Sequence, residues 1–263
     1  MKKKLLSLLT AAAVLLGGLP AALATSEVSD SVIEQVIRST EIMVGDPNGD
    51  MNLDKTVTRA EYAKMLVAAS TYQDKVAGAS NSSPFKDVPY THWAAGYIKT
   101  AVQQGWLTGY LDGTFKPDQP VKLREAVYGV LALLGYTNED FTGDQTQGRM
   151  SMYYSKELDD GLALVSMESN LTMSNCKSLL YNTLKATNKS GSMYGQIFDC
   201  ELDADGEINY LKLSDNNVNG PIEVTDSKDI GDILPFSEEN ATYIIDGEVG
   251  YNLDYNSVDV GDV

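Results

Sequence analysis

Hydrophobic residues recur at helical spacing in pairs of segments that are separated by polar loops. In the middle pair one stripe consists of Trp93, Tyr97, Ile98, Ala101 and Val102, and the other of Leu123, Val127, Val130, Leu131 and Leu134. Spacings of three and four residues place such side chains on one face of an α-helix. We therefore predict a helix capped by Thr91 and ended by Gly105, a turn at Asp112-Gly113, and then a second helix.

The same order recurs on both sides of this middle pair. At a constant offset, Gly45, Asp54, Val57 and Glu61 stand where Gly109, Asp118, Val121 and Glu125 stand in the middle pair. The first pair is predicted to begin with a helix over 30–41. A fainter third pair has a predicted helix over 150–160, stopped by Gly161, and another over 171–184. A helix–loop–helix unit cannot bury its apolar stripe alone, so three units would bury their stripes against one another.

Residues 84–135 carry the most specific motif of the chain. In order, the segment reads FxDV, HWA, YI and GxxxGYxDGTFxPDxPV, and this order resembles the surface-layer homology (SLH) family of bacterial cell-wall-binding modules. The resemblance implies a mainly α fold in which three helix–loop–helix repeats form a pseudo-threefold bundle with central helices. The expected repeats are 25–76, without the FxDV and HWA elements at its front, then 84–137, and a degenerate copy at 143–186.

The resemblance also suggests where a ligand would bind. Thr58-Arg59-Ala60-Glu61 matches the family's TRAE signature, whose arginine lines a groove between repeats and contacts acidic secondary cell-wall polysaccharide, often bearing ketal-linked pyruvate. A planar guanidinium suits this task because it can bind a carboxylate through two parallel hydrogen bonds. Thr58 and Glu61 are also explained as a capping box, in which each side chain binds the other residue's backbone amide.

The other two repeats depart from this signature. Leu123 and Met173 occupy the place of the arginine. Lys122 and Arg124 could supply positive charge nearby, although neither is in register. We therefore expect at most one well-equipped groove, beside Arg59, and keep as the alternative a repeat scaffold that has lost its glycan site.

Two further residues could belong to such a groove. Asp87 is interpreted as a loop or cap residue, or as a polar group of the groove. Trp93 could stack on a sugar ring, but a single tryptophan on an apolar helix stripe is more often part of the core, which we favour. His92, the single histidine of the chain, is expected to cap or flank the same helix.

A metal site is the less favoured interpretation of one polar loop. Asp46, Asn48, Asp50, Asn52 and Asp54 alternate like the early ligands of a calcium-binding EF-hand. The twelfth position of that motif requires a bidentate carboxylate, and here it is a valine. We therefore interpret the loop as a polar turn and predict neither a metal nor another cofactor.

Charge and the amino terminus narrow the partners and the location. The formal net charge is −17, and residues 187–263 hold 17 acidic residues against three lysines. Such a chain repels nucleic acid and anionic membranes at long range, so nucleic acid is not an expected partner.

Residues 1–24 combine three lysines, an apolar run and an Ala-Leu-Ala cleavage site, which predicts a signal peptide. We expect an exported protein with no membrane attachment after cleavage, at the wall of a Gram-positive-type bacterium as the resemblance implies.

The carboxyl-terminal part shows a different pattern. After a linker at 187–192, residues 193–263 are predicted to be an acidic, β-rich region. Its predicted strands are 194–202 with 207–213, joined at Asp205-Gly206, and 242–245 with 248–253, joined at Asp246-Gly247.

The sequence contains no recognisable catalytic motif. It has one histidine, no Gly-x-Ser-x-Gly motif and no Cys-His arrangement, so we predict no enzyme. Cys176 and Cys200 could form a disulfide, but two buried thiols are favoured.

The leading hypothesis is a non-catalytic wall-anchored protein. The alternatives are self-association into a surface lattice through the acidic region, and an enzyme that acts on wall glycan through an acid pair in a cleft.

Overall fold

The structure is a computed structural model that describes residues 29–46, 48–76, 85–162, 166–204, 206–213, 242–245 and 248–251. The predicted signal peptide and most of the predicted acidic region after residue 213 lie outside these described residues. The described part is mainly helical. Its α-helices are α1 (Asp30–Ser39), α2 (Arg59–Ala68), α3 (Ala95–Gln103), α4 (Leu123–Leu133), α5 (Gln145–Ser155), α6 (Met173–Lys185) and α7 (Tyr210–Leu213). Short 3-10 helices cover Gln73–Lys75, Asn138–Asp140 and Tyr194–Phe198, and β1 (Thr242–Ile245) pairs with β2 (Glu248–Tyr251).

Helices α2, α4 and α6 begin with related capping contacts. The Thr58 hydroxyl accepts from the Glu61 amide, and the Glu61 carboxylate accepts from the Thr58 amide at 2.8 Å. Helix α6 has a complete box from Thr172, whereas in α4 the Glu125 carboxylate accepts from the Lys122 amide at 3.1 Å. Such contacts satisfy amides that the first turn of a helix leaves without partners. The capping-box prediction for Thr58 and Glu61 is confirmed.

The loops before these three helices bind one another in a closed cycle of backbone hydrogen bonds. The Val57 amide donates to the Leu171 carbonyl at 2.9 Å, the Leu171 amide to the Val121 carbonyl at 3.1 Å, and the Val121 amide to the Val57 carbonyl at 2.9 Å. Each loop therefore both donates to one neighbour and accepts from the other.

Two more cycles follow directly and cap the helices. In one cycle the first amide of each helix donates to a carbonyl of the next loop, in the pairs Arg59 to Gln119, Leu123 to Ser169, and Met173 to Lys55. In the other cycle the second amide of each helix donates in the same way, in the pairs Ala60 to Pro117, Arg124 to Met167, and Ser174 to Leu53. The loops thus supply partners for amides that would otherwise be unsatisfied at buried helix ends.

Helix packing follows the same cyclic order. Helix α2 packs against α3, α4 against α5, and α6 against α1. The side chains between them are almost fully buried, among them Ile37, Leu66, Ile98, Leu131, Leu179 and Leu180. A fully buried aliphatic side chain of this size contributes about 1.5–3 kcal/mol. The apolar stripes therefore form one shared core.

No helix of the described residues is long and apolar enough to span a bilayer.

Helix α3 begins later than predicted. Its cap is Ala94, whose amide donates to the His92 imidazole at 3.1 Å, so Thr91 is not the cap and His92 flanks the helix as expected. Trp93 precedes the helix and is 57% exposed, so the favoured core position for this residue is wrong. The apolar face of α3 begins in the helix proper, with Ala95 and the buried Ile98.

Helix α5 begins and ends earlier in the chain than predicted. The Asp144 carboxylate accepts from the Thr146 and Gln147 amides at 2.9 and 3.1 Å and starts the helix there, ahead of the predicted start at 150. The helix ends at Ser155, and Gly161 lies in a downstream turn with φ +66°. The first turn of α5 is polar, so hydrophobic periodicity did not reveal it.

The segment after α6 is helical where strands were predicted. The ranges 194–202 and 207–213 contain a 3-10 helix and α7, with an isolated antiparallel bridge between Leu202 and Ile208. The Tyr194 hydroxyl donates to the Ala69 carbonyl at 2.7 Å, which ties this segment to the end of α2. Such tertiary contacts override a local β preference. The predicted pairing of 242–245 with the strand that starts at 248 is present and antiparallel.

The predicted linker and the two cysteines lie close to this segment. Residues 187–192 form a compact turn in which the Asn188 amide donates to the Ser192 carbonyl at 2.8 Å. Cys176 and Cys200 are buried and unpaired, as favoured. Burial raises the pKa of Cys176 and raises the pKa of Cys200 to about 11, so both remain protonated thiols at neutral pH.

Gly109 is required by a close contact with an aromatic ring. A β-carbon at this position would lie 2.0 Å from the Phe85 ring, which in turn lies 5.4 Å from the Phe115 ring centroid. We expect Gly109→Ala to lower the free energy of unfolding by about 2 kcal/mol, since the ring must leave its place. Urea denaturation measures this. In a Phe85→Leu background the same substitution should cost less, and an equal cost in both backgrounds would contradict the steric explanation.

Candidate functional site

A pocket of about 230 Å³ lies between α4 and α5 and reaches the loop that follows α3. Its charged lining residues are Arg59, Arg124, Arg149 and Glu125. The remaining lining residues are neutral, and they are Leu107, Thr108, Val127, Tyr128, Thr146 and Met150. Three positive groups against one negative group make this pocket cationic in a chain whose net charge is −17.

Arg59 forms the floor of the pocket and is held on every side by protein groups. It is only 2% exposed, its Nε donates to the Phe115 carbonyl at 2.9 Å, and one Nη donates to the Thr108 carbonyl at 2.7 Å. The other Nη pairs with Glu125, and the guanidinium lies 4.5 Å from the Phe115 ring centroid and 5.0 Å from that of Tyr110. Arg59 thus joins α2 to the next helical pair and contributes positive charge to the pocket from below.

Arg124 and Lys122 lie at the beginning of α4, and Arg124 is the one that lines the pocket. The Arg124 side chain is half-exposed and pairs with Glu168, to which Lys122 Nζ donates at 2.6 Å. The Lys122 hydrogen bond, with the charges of both cations, holds the pKa of Glu168 below its ordinary value. Two cations therefore flank Leu123, the residue that stands where Arg59 stands in α2, and both of them pair with Glu168.

Arg149 is the pocket residue that sequence analysis did not identify. It lies on α5 with its guanidinium 4.9 Å from the Tyr128 ring centroid and 5.2 Å from that of Phe141. One Nη also donates to the Asn138 side chain. Because the helix was predicted to begin at 150, Arg149 was assigned to no element, and no other signal in the sequence pointed to it.

Thr58 and Glu61 lie outside the pocket lining. Their side chains are engaged in the capping box, and Glu61 also pairs with Lys55 at 2.6 Å. The Lys55 hydrogen bond and the cap lower the pKa of the Glu61 carboxyl despite its partial burial. The structure assigns these two residues a stabilising role at the start of α2.

Asp87 and Trp93 also lie away from the lining. The Asp87 carboxylate accepts from the Phe115 and Lys116 amides at 2.8 and 2.7 Å, so it fixes the loop that surrounds Arg59. Trp93 is exposed before α3, with its ring 5.9 Å from that of His92. Of the seven residues predicted for the groove, the structure brings Arg59 and Arg124 together at the pocket.

The loop considered for calcium behaves as a turn. The Asp46 carboxylate accepts from the Asn48 and Asp50 amides at 2.8 and 3.0 Å, and these bonds lower the pKa of Asp46. Across the described ranges, no group of three or more histidine, cysteine or acidic side chains is arranged to hold a metal ion.

Comparison with known proteins identifies the middle of the chain. Residues 84–127 match the model of the S-layer homology domain, so this part of the chain is an S-layer homology domain. The match contains the loop that surrounds Arg59 and the beginning of α4, including Arg124 and Glu125.

Relatives of this chain are much longer proteins. This chain is 44% identical over 94 residues to Cell surface glycoprotein 1 of Acetivibrio thermocellus, and the alignment covers 34% of this chain and 4% of that relative. The chain is 32% identical over 144 residues to the Middle cell wall protein of Brevibacillus brevis, and this alignment covers 51% of the chain and 14% of the relative. It is 36% identical over 94 residues to the Cellulosome-anchoring protein of A. thermocellus, covering 35% and 21%. The names of these relatives describe surface, wall or anchoring proteins.

Proposed function

We propose that this protein is a non-catalytic cell-surface protein whose helical repeats bind an acidic secondary cell-wall polysaccharide. The observation that carries the proposal is the cationic pocket between α4 and α5 within an acidic chain. The S-layer homology domain at 84–127 and the anchoring and wall proteins among the relatives support the same function.

The proposal includes three repeats arranged as a pseudo-threefold bundle. Three observations support it: the closed cycles of backbone hydrogen bonds, the cyclic packing of α2 on α3, α4 on α5 and α6 on α1, and the alignment of 144 residues with the Middle cell wall protein, which is longer than the family match. In this arrangement the pocket is the groove between the second and third repeats.

The pocket chemistry favours a sugar that bears a carboxylate. Arg124 and Arg149 present guanidinium groups from two different helices, and a guanidinium fork binds a carboxylate through parallel hydrogen bonds. Tyr128 adds an aromatic surface that suits the apolar face of a sugar ring. The volume of about 230 Å³ is below the roughly 300–1,000 Å³ of pockets for drug-sized ligands, so the pocket fits a single acidic sugar unit of a longer chain. A ketal-linked pyruvate would supply the required carboxylate.

Arg59 has a supporting role in this proposal. Its nitrogens are occupied by Phe115, Thr108 and Glu125, so it acts through its charge and by fixing the floor. Arg124 and Arg149 are proposed as the residues that touch the ligand.

Sedimentation of the full chain with purified wall sacculi tests the proposal. Binding should be strong with intact sacculi and lost after hydrofluoric acid removes the wall polysaccharide. Equal binding before and after extraction would show that polysaccharide is not the ligand.

Substitution of Arg149 tests the pocket itself. Arg149→Ala should weaken sacculus binding roughly 10- to 100-fold, because a hydrogen bond to a charged group is worth about 1.5–3 kcal/mol and about 1.4 kcal/mol is a factor of ten. Arg149→Lys should also weaken it, since lysine keeps the charge but loses the fork. Lys64→Ala is the matched control, because Lys64 is an exposed cation on α2 outside the pocket lining. Equal affinities of the Arg149 and Lys64 variants would contradict a role for this pocket.

A further inference from the structure

Glu168 is fixed beside the pocket by the backbone around it. It lies in the loop between α5 and α6, and its neighbours on both sides cap α4. The Leu123 amide donates to the Ser169 carbonyl at 2.9 Å and the Arg124 amide to the Met167 carbonyl at 3.0 Å. The position of the Glu168 main chain relative to α4 is therefore set by two hydrogen bonds that do not involve its side chain.

The Glu168 carboxylate joins two cations of α4. One oxygen accepts from Lys122 Nζ at 2.6 Å, and the other pairs with the guanidinium of Arg124. The Glu168 side chain is 53% exposed, so water and ligands can reach this pair. The Glu168 carboxylate thus already pairs with Arg124, a cation that the proposed function assigns to a carboxylate of the ligand.

The other two loops that cap a helix contain an acid at the same place. Asp118 lies between the carbonyls that cap α2, and Asp54 lies between those that cap α6. The residues that stand where Lys122 and Arg124 stand in α4 are Thr58 and Ala60 in α2, and Thr172 and Ser174 in α6. An acid at this place is therefore common to the three junctions, whereas two cations at the facing positions occur at one of them.

We propose that Glu168 is an internal competitor of the anionic ligand and sets the affinity of the pocket. In the free protein it neutralises Arg124 from the side, and an incoming carboxylate must replace it on the guanidinium. Ligand binding at Arg124 is then an exchange of one ion pair for another, so Arg124 contributes less net affinity than an unpaired arginine would. This inference rests on the proposed function, because it assumes that the pocket takes an acidic sugar.

The test is the affinity of Glu168→Gln for wall sacculi, measured on the full chain. Glutamine keeps the size of the side chain and removes its charge. Affinity should rise about two- to fivefold, in line with the small energies of exposed ion pairs. In an Arg124→Ala background the same substitution should give no rise, because the competition acts through Arg124.

Asp54→Asn and Asp118→Asn are the matched controls. Each removes one negative charge from the equivalent place of another junction, so each changes the long-range repulsion between chain and polysaccharide as much as Glu168→Gln does. Their affinities should stay near that of the unmodified chain. Thermal unfolding of all three variants shows whether any of them alters the fold.

The outcomes separate this inference from the proposed function. If the unmodified chain binds and Arg149→Ala weakens binding, an unchanged affinity of Glu168→Gln overturns the competitor alone. An equal rise in the two controls also overturns it, because overall charge would then explain the gain. Failure of both the unmodified chain and Glu168→Gln to bind sacculi overturns the proposed function together with this inference.

Discussion

Replacing Arg59 by alanine is expected to lower the free energy of unfolding by about 3–5 kcal/mol, the typical cost of breaking a buried ion pair. Glu125 would lose its ion-pair partner while remaining largely buried, and the carbonyls of Phe115 and Thr108 would lose their donor. Total stabilities of domains are about 5–15 kcal/mol, so this change removes a large fraction. Urea denaturation followed by circular dichroism measures it.

Two further variants separate charge from volume at this position. Arg59→Met retains most of the volume but still leaves Glu125 unpaired, so it should remain destabilising. Arg59→Met combined with Glu125→Gln removes both charges and should recover the part of the loss that comes from the uncompensated charge of Glu125, while the Phe115 and Thr108 carbonyls still lack a donor. If Arg59→Ala instead leaves the free energy of unfolding unchanged and abolishes sacculus binding, Arg59 is a ligand-contacting residue, as its position in the TRAE signature first suggested.

Arg59 is either a ligand-contacting residue or a buried structural one, and the sequence identified the residue without deciding between these roles. The signature identifies the residue, because Thr58 and Glu61 cap the helix locally and leave the arginine unexplained. Its burial depends on Thr108, Phe115 and Glu125, which are 49, 56 and 66 residues further along the chain. No local pattern reports such contacts, and Arg149 was missed for a related reason, since its helix begins with a polar turn.

The fold was predictable where a strong apolar stripe coincides with a cap. This is the case for α6, which was predicted over 171–184 and spans Met173–Lys185 with a complete capping box. For α2 only the beginning was predicted, by the Thr58 capping box, because this helix is buried on nearly all sides. Prediction failed where a distant contact decides the local structure. The Tyr194 hydroxyl binds the Ala69 carbonyl, 125 residues earlier, and this segment is a 3-10 helix although its composition favours a strand.

Lys177 is a buried cation at a position that is otherwise apolar in this fold. It stands on α6 where Ala63 stands on α2 and Val127 on α4, and all three are buried. The Lys177 side chain is 0% exposed, and its Nζ lies 2.5 Å from the Asp30 carboxylate at the start of α1. The approach lacks hydrogen-bond geometry, so among the described residues the ammonium has an ionic partner but no hydrogen bond. This pair closes the contact between the last and the first helices of the cycle.

Asp30→Asn is therefore expected to destabilise the protein by about 1–3 kcal/mol, because it leaves the buried ammonium without a counter-charge, although solvent already screens Asp30, which is 69% exposed. Lys177→Met should be neutral or should stabilise by about 1–3 kcal/mol, since it replaces a buried charge by an apolar side chain of similar length. In the Lys177→Met background, Asp30→Asn should cost only the roughly 0.3–1 kcal/mol that an acid contributes at a helix amino terminus. Urea denaturation of the four proteins measures the coupling between the two positions. A Lys177→Met variant that loses as much stability as Asp30→Asn would show instead that the ion pair itself holds α6 against α1.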